Sequence, residues 1–204
     1  MLNKRLLILA NNPFSDTNSN GRTLKNFFAP EDRDSLAQIY IGGGTPDFSA
    51  CSRFFRIGDG EVLRAFLHRS AAGGEVPNTS VVEQTESTTV KKPKKTPLTL
   101  LLRDFLWNRR GWRKAVNAWI DEFSPDAVLL QAGDSPFMYR WAAEIADAKG
   151  IPLVVYNSED YYFKKHDYTR SRGFAPLFYP LFRRMLRKEI RRAIARKLPF
   201  RSSS

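Results

Sequence analysis

The chain has 204 residues, of which 42% are hydrophobic and 13% aromatic, with one cysteine and a formal net charge of +12. This apolar fraction supports a packed core and excludes global disorder, the lone Cys51 excludes an internal disulfide framework, and no apolar stretch approaches the ~20 residues of a membrane-spanning helix. We therefore expect one large domain, or one domain with an appendage, in a cytoplasmic protein, with Cys51 as a buried core residue.

The first part of the chain alternates apolar runs with helical patterns. Continuous apolar runs that end at turn residues predict buried strands at 4–10, 36–41 and 53–57. Apolar spacing predicts a helix over 22–28, and Asp59 is predicted to cap a second helix.

Residues 70–97 are rich in Ser, Thr, Gly, Pro and Lys and poor in large apolar groups. That composition predicts a mobile insertion or a long surface loop. Beyond it, the predicted elements in chain order are two helices split at Gly111, a buried strand at 126–132, a helix with Ser135 as N-cap and Gly150 as its stop, and another buried strand at 152–157.

Strands that alternate with helices and are apolar throughout are typical of a parallel sheet covered on both faces. The sequence thus predicts an α/β protein with a Rossmann-like, doubly wound parallel sheet. Ligands of such sheets bind beyond the carboxyl ends of the strands. We predict that the strands ending at Ala10, Leu130 and Val155 lie side by side and point the same way, so that the residues after them converge.

The loop after the first strand carries eight Asn, Ser, Asp or Thr residues between Asn11 and Asn20 and ends at Gly21. With the amino end of a helix behind it, this loop is either a cradle for an anion or a sugar, or a long capping loop. It matches neither a GxGxxG fingerprint nor a P-loop. After the strand at 126–132, Asp134 either accepts from a sugar hydroxyl or serves a local turn with Ser135.

The loop after the last strand carries Ser158, Glu159 and Asp160, followed by three aromatic residues. Carboxylates beside aromatics are common in sugar sites, and a carboxylate held partly out of water can act as a general base. The alternative is a polar loop with anchoring aromatics. One cysteine and two distant histidines give no zinc spacing, so no metal is expected.

Taken in order, these segments resemble the N-terminal half of a GT-B glycosyltransferase, and most closely the retaining bacterial enzymes that build surface polysaccharides. The resemblance covers residues 1–165 apart from the insertion. It is carried by "LLILANNPFSDTNSNGRTLKNFF", "LAQIYI" and "PDAVLLQAGDSPFMYRWAAEIADAKGIPLVVYNSEDYYFK". It implies an acceptor-binding domain of an enzyme that transfers sugar from a nucleotide-sugar to a saccharide acceptor, which can be lipid-linked. It implies no cofactor beyond that nucleotide-sugar substrate.

The resemblance also implies roles for individual residues. Asn20 and Gly21 would lie near the diphosphate of the donor. From their positions in the loops after the strands, and not from the resemblance, Asn12, Asp134 and Ser158 are predicted to contact the acceptor, and Glu159 and Asp160 to be the catalytic carboxylates.

The sequence departs from the GT-B pattern at three places. Many relatives have two glycines where Asn20 and Gly21 stand, and a histidine where Ser158, Glu159 and Asp160 stand. The sequence also lacks the second, donor-binding domain. It is therefore expected to be an excised domain, a truncated product or one half of a two-chain enzyme, and inactive without a donor-domain partner.

The basic residues are concentrated in two segments. Residues 88–115 carry nine basic and one acidic residue, and residues 161–204 carry 13 basic and two acidic residues. Within 166–204, apolar residues at four-residue spacing predict a basic amphipathic helix. It either lies on the anionic inner face of the cytoplasmic membrane or packs on the sheet with a solvated basic face. A second class of function is a non-catalytic Rossmann-like module whose basic tail binds RNA or another polyanion, although the chain has no RNA-recognition motif.

Overall fold

The computed structural model describes residues 4–29, 31–78, 95–157, 161–164, 169 and 172–196. Its strands are β1 (Leu6–Ala10), β2 (Leu36–Tyr40), β3 (Arg53–Arg56), β4 (Gly74–Glu75), β5 (Ala127–Ala132) and β6 (Leu153–Asn157). Its α-helices are α1 (Ser19–Phe28), α2 (Asp59–His68), α3 (Pro97–Trp107), α4 (Lys114–Phe123), α5 (Pro136–Lys149) and α6 (Tyr179–Ile194). Short 3-10 turns lie at Arg33–Ser35, Arg110–Arg113 and Ala175–Phe178.

The six strands form one sheet in the order β4-β3-β2-β1-β5-β6. All neighbours are parallel except the antiparallel pair of β3 and β4. Leu9 of β1 pairs with Leu130 of β5, and Leu130 pairs with Val155 of β6, so the three predicted strand ends do lie side by side and point the same way. The predicted α/β class and parallel sheet are confirmed, and the strand order is consistent with a Rossmann-like fold.

The two faces of the sheet are covered unequally. Helices α2 to α6 contribute to the core on one face, with Trp107, Trp141 and Phe182 among its fully buried side chains. The other face is covered by α1 and by the loops that carry Phe14 and Cys51. Doubly wound sheets need cover on both faces, and here loop residues supply part of it.

Two helices begin elsewhere than the sequence predicts. Helix α1 starts at Ser19, within the polar loop, because the Asn18 side chain accepts the Gly21 N–H and caps the helix. Helix α2 is capped at Gly58, whose N–H donates to the Glu61 carboxylate, so the prediction of Asp59 as the cap is wrong. Asp59 is instead the first residue of α2.

The strand β4 was not predicted from the sequence. It consists of two residues, Gly74 and Glu75, which lie in the segment with an insertion-like composition. Residues 79–94 of that segment are outside the described part of the chain. The division into a domain at 1–165, an insertion and a tail stays a prediction.

Helix α6 packs against α5 and α3 with a buried face that includes Phe182, Leu186 and Ile190. Two of its arginines form hydrogen bonds to the chain beyond β6 and hold it against the helix. Arg183 donates to the Lys164 carbonyl, and Arg187 donates to the Tyr162 carbonyl. None of the helices in the described ranges has the length and hydropathy needed to cross a bilayer.

A buried ionic cluster ties three of the helices together. Arg140 of α5 lies 3.3 Å from a carboxylate oxygen of Asp104 in α3 and 3.3 Å from one of Glu189 in α6. One cation thus faces two buried carboxylates. Burial raises the pKa of Asp104, although Arg140 opposes that shift.

Cys51 is buried, as predicted. Burial raises the pKa of its thiol to about 12, and its Sγ donates to the Leu36 carbonyl. Since the thiolate is the reactive form, we expect no reaction with a thiol reagent at about pH 8 in the native protein and full reaction in denaturant. With an aromatic disulfide reagent, the absorbance of the aromatic thiolate that it releases measures the reaction rate of the native and of the denatured protein. Rapid labelling of the native protein would contradict this prediction.

Candidate functional site

The candidate site lies where the chain order of the sheet reverses, between β1 and β5. Helix α1 leaves β1 toward one face of the sheet, and α5 leaves β5 toward the other. The two connecting loops therefore diverge and flank a crevice at the carboxyl ends of the strands. In open α/β sheets this position is where ligands bind.

The loop after β1 is fixed by a buried glutamine of β2. Gln38 is fully buried; its Oε1 accepts the Phe14 N–H at 2.8 Å, and its Nε2 donates to the Asn12 carbonyl at 3.2 Å. The Phe14 ring is also fully buried. Among the described residues these are the only hydrogen bonds of the two backbone groups, so Gln38 determines the path of the loop.

The same loop contacts the loops that follow β2 and β5. The Asn11 carbonyl accepts the Gly42 N–H at 2.6 Å. The Asn11 Nδ2 lies 2.9 Å from where a Cβ of Gly133 would stand, and the Asn12 Oδ1 lies 3.3 Å from that position on Gly42. Asn11 and Asn12 therefore present their amides to neighbouring backbone at the edge of the sheet.

Asn20 and Gly21 lie in the first turn of α1. Gly21 is buried, and an added Cβ would stand 2.3 Å from the Pro13 carbonyl oxygen. Its N–H donates to the Asn18 Oδ1. The close packing of the loop on the helix leaves no room for a side chain and explains why a glycine stands at this position. The Asn20 carbonyl lies 3.5 Å from the Nε2 of Gln131 in β5. A role in phosphate binding for Asn20 and Gly21 stays a prediction.

Asp134 is a buried carboxylate at the carboxyl end of β5. Its side chain is 7% exposed, and one of its oxygens lies 3.2 Å from the Lys95 Nζ, which belongs to a largely exposed side chain. The hydroxyl of the neighbouring Ser135 accepts from Arg103, whose guanidinium also bonds Asp59. Lys95 and Arg103 thus place two cations beside the crevice.

Tyr139 links the loop after β5 to the end of β6. Its hydroxyl lies 2.9 Å from the Asn157 Oδ1 and 3.2 Å from the Gly133 carbonyl oxygen. Burial raises the pKa of Tyr139, and the nearby charge of Asp134 raises it further. Tyr139 therefore remains a neutral donor at physiological pH.

Of the predicted site residues, Asn12, Asn20, Gly21 and Asp134 lie in the loops and helix start at the carboxyl edge of the sheet. Ser158, Glu159 and Asp160 lie outside the described residues, so their roles stay predictions. Within the described ranges, no group of His, Cys, Asp and Glu could hold a metal ion.

Several groups that border the crevice were not assigned to the site from the sequence. Asn11 and Asn157 were placed in the polar segments that follow strands, but without a role in binding. Tyr139, Lys95 and Arg103 reach the edge from helices or from the insertion, and only tertiary structure brings them there.

A groove of about 600 Å³ lies elsewhere, between α4 and α5. In its lining, Arg110 and Arg113 both pair with Glu144, and Lys149 pairs with Asp121. Because these charges are matched within the groove, we place the candidate site at the crevice between β1 and β5. No family model, no curated protein and no solved structure matches this chain, so its function is argued from this geometry.

Proposed function

We propose that this chain is the acceptor-binding, N-terminal part of a glycosyltransferase. The enzyme would transfer a sugar from a nucleotide-sugar to a saccharide acceptor in the synthesis of cell-surface polysaccharides. The observation that supports it most is the edge of the sheet between β1 and β5, where the amides of Asn11 and Asn12 and the buried carboxylate of Asp134 stand in the loops that follow the two parallel strands.

The chemistry of these groups suits a sugar. An asparagine amide both donates to and accepts from hydroxyl groups, and a carboxylate accepts from two of them. Asn12 and Asp134 would bind the acceptor together with Ser158, and Lys95 keeps a positive charge next to Asp134. Polar groups on fixed backbone cost little to order when a ligand arrives.

The donor would approach from the amino end of α1, where Asn20 and Gly21 stand. The Gly21 N–H already donates to Asn18, so a diphosphate there would be favoured by the positive end of the helix rather than by that one amide. Glu159 and Asp160 would supply the carboxylates for the transfer. A second domain or partner chain would hold the rest of the nucleotide-sugar.

We further propose that the basic residues of the C-terminal segment act at the membrane, as an amphipathic helix on its inner face. Arg184, Lys188 and Arg192 of α6 are exposed and have no ion-pair partner among the described residues. Each cation near an anionic leaflet contributes about 1 kcal/mol. Such a position would suit a lipid-linked acceptor.

Saccharide binding can be measured by saturation-transfer-difference NMR with maltotriose and with UDP-glucose as probes. We expect Asn12→Ala combined with Asp134→Asn to weaken the saccharide response by about tenfold or more, since a hydrogen bond to the charged Asp134 contributes about 1.5–3 kcal/mol and one to the neutral Asn12 amide about 0.5–1.5 kcal/mol. Asn117→Ala, in the groove between α4 and α5, is the matched control and should leave the response unchanged. Equal responses from both variants would remove the crevice from the proposal.

The second candidate is a polyanion-binding module, and the unpaired cations of α6 favour it. RNA binding that falls steeply with salt and is lost in Arg184→Gln with Lys188→Gln, alongside no saccharide response, would support this alternative.

A further inference from the structure

We propose that the outer surface of α2 and α3 docks into an anionic lipid bilayer. This surface, the α2–α3 surface, consists of six exposed large apolar side chains: Leu63, Phe66, Leu67, Leu98, Leu102 and Phe105. It is separate from the crevice, and the inference stands whether or not the crevice binds a sugar.

The six side chains belong to one surface rather than to scattered positions. Helices α2 and α3 pack against each other. The guanidinium of Arg109 lies 4.6 Å from the centroid of the Phe105 ring and 5.9 Å from that of the Phe66 ring, so one cation joins the aromatic groups of both helices. Grouped apolar side chains of this size on a soluble surface indicate an interaction site.

The carboxylates of the two helices are all engaged within the protein. Asp59 accepts from Arg103 and from the Trp107 indole, Glu61 accepts the Gly58 N–H, and Asp104 is buried against Arg140. Arg103 of α3 is engaged with Asp59, but three other arginines of this region, Arg64, Arg69 and Arg109, are exposed and have no carboxylate partner in the described part of the chain. The α2–α3 surface is thus apolar with an unmatched positive rim.

This charge pattern selects the partner. A two-fold dimer through the α2–α3 surface would bring the surface against its own copy, so Arg64, Arg69 and Arg109 would face one another without carboxylates to pair them. An anionic bilayer matches both features, because its acyl region accepts the apolar side chains while its headgroups attract the arginines.

The neighbouring elements carry the same features. The 3-10 turn Ala175–Phe178 packs against α3, and α6 follows it. Leu177 and Leu181 are 73% and 58% exposed, next to the exposed Arg184 and Lys188. The proposed membrane face therefore extends from α2 across α3 to the start of α6, with the α2–α3 surface supplying its apolar centre.

The test is co-sedimentation of the full chain with vesicles of phosphatidylcholine and phosphatidylglycerol. We expect Leu67→Ser with Leu102→Ser to lower the partition coefficient by about tenfold or more, since the apolar area that enters the bilayer is removed. Both side chains are more than half exposed, at 65% and 55%, so the variant should fold, which far-UV circular dichroism checks.

The matched control is Phe27→Ser with Val154→Ser. These side chains are 59% and 54% exposed. The Phe27 ring contacts the Tyr156 ring, and Val154 stands two residues before Tyr156 in β6, so both lie on the face that Tyr156 helps to cover, opposite α2 and α3. The control variant should bind the vesicles within about twofold of the wild type, as surface changes outside a contact usually have small effects. A loss of binding in this variant equal to that of Leu67→Ser with Leu102→Ser would overturn the proposal.

A separate variant tests the contribution of the arginines at the rim. Arg64→Gln with Arg69→Gln should weaken binding to anionic vesicles by about fivefold for each cation, and vesicles of phosphatidylcholine alone should bind the wild type much more weakly. Three results would overturn the proposal. One is unchanged vesicle binding of Leu67→Ser with Leu102→Ser. Another is equal binding of the wild type to neutral and anionic vesicles. The third is a wild-type dimer, measured by sedimentation without lipid, that this apolar variant turns into a monomer.

Discussion

Replacing Arg140 by leucine is expected to lower the free energy of unfolding by about 3–5 kcal/mol, because it removes the only charge partner that the described structure gives to two buried carboxylates. The Asp104 and Glu189 side chains are 7% and 5% exposed, and Arg140 itself is 11% exposed. One oxygen of each carboxylate already has no hydrogen-bond partner in the described structure. The site therefore has no spare donor to replace the guanidinium. Urea unfolding followed by circular dichroism measures the loss.

The control is Asp104→Asn, which removes one negative charge and keeps the shape of the side chain. Burial raises the pKa of Asp104, so the folded state binds its proton more tightly than the unfolded state does. The contribution of Asp104 to stability therefore falls as pH rises from the unfolded pKa through the raised folded pKa. We expect Asp104→Asn to be neutral or stabilising at neutral pH and to flatten that part of the pH dependence. A loss as large as that of Arg140→Leu would show that the cluster needs both carboxylates charged.

The sheet could be predicted from the sequence because its signal is local. A buried parallel strand is a short run of apolar residues that ends at a turn, and β1 and β5 have that form and are buried. The prediction that the last strand is also buried is wrong: β6 lies at the edge of the sheet, none of its residues is buried, and Val154 is 54% exposed. The alternation of such runs with helical patterns then leaves few topologies. The adjacency of β1, β5 and β6 was predicted, whereas the positions of β2 and β3 were not, and the two-residue β4 is too short to carry a pattern.

The hydrogen bonds and ion pairs that hold the loops and helices in place could not be predicted, since the residues that form them are far apart in the sequence. Gln38 stands within an apolar run and gives no hint that both its amide atoms hold the loop after β1. Asp104 follows an arginine in a mostly apolar helix and Glu189 stands in a strongly basic one, and neither pattern indicates that both carboxylates are buried against Arg140. Such pairs are a property of tertiary packing, which periodicity does not report.

The residues of the candidate site could be predicted from the sequence in part, like those of the fold. The rule for carboxyl ends of strands indicated Asn12 and Asp134 from the sequence. It did not indicate that Tyr139 reaches Asn157 from a helix, or that Lys95 comes from the far side of the insertion. Gly21 was interpreted as a residue that admits phosphate, and the structure adds a steric reason that needs no ligand.

The steric contact at Gly21 predicts a second large loss of stability on substitution. Gly21→Ala is expected to lower the free energy of unfolding by about 1–3 kcal/mol, because the new methyl group would stand 2.3 Å from the Pro13 carbonyl oxygen and 2.9 Å from the Asn18 Oδ1. Neither neighbour is free to give way: the carbonyl is backbone, and the Asn18 side chain caps the helix. The substitution should therefore also move the loop after β1.

Gly60→Ala separates this effect from the helical preference of alanine. Gly60 also lies in the first turn of a helix, α2, but nothing lies within 4 Å of its Cβ position. The same substitution there should stabilise the protein by about 0.4–1 kcal/mol, since alanine loses less backbone entropy on folding. Thermal or urea unfolding of the two variants side by side gives the comparison, and amide shifts of residues 11–18 report the position of the loop. If both variants were stabilised and those amide shifts did not change, the contact between Pro13 and Gly21 would not be what requires glycine, and a ligand at the amino end of α1 would become the better reason for it.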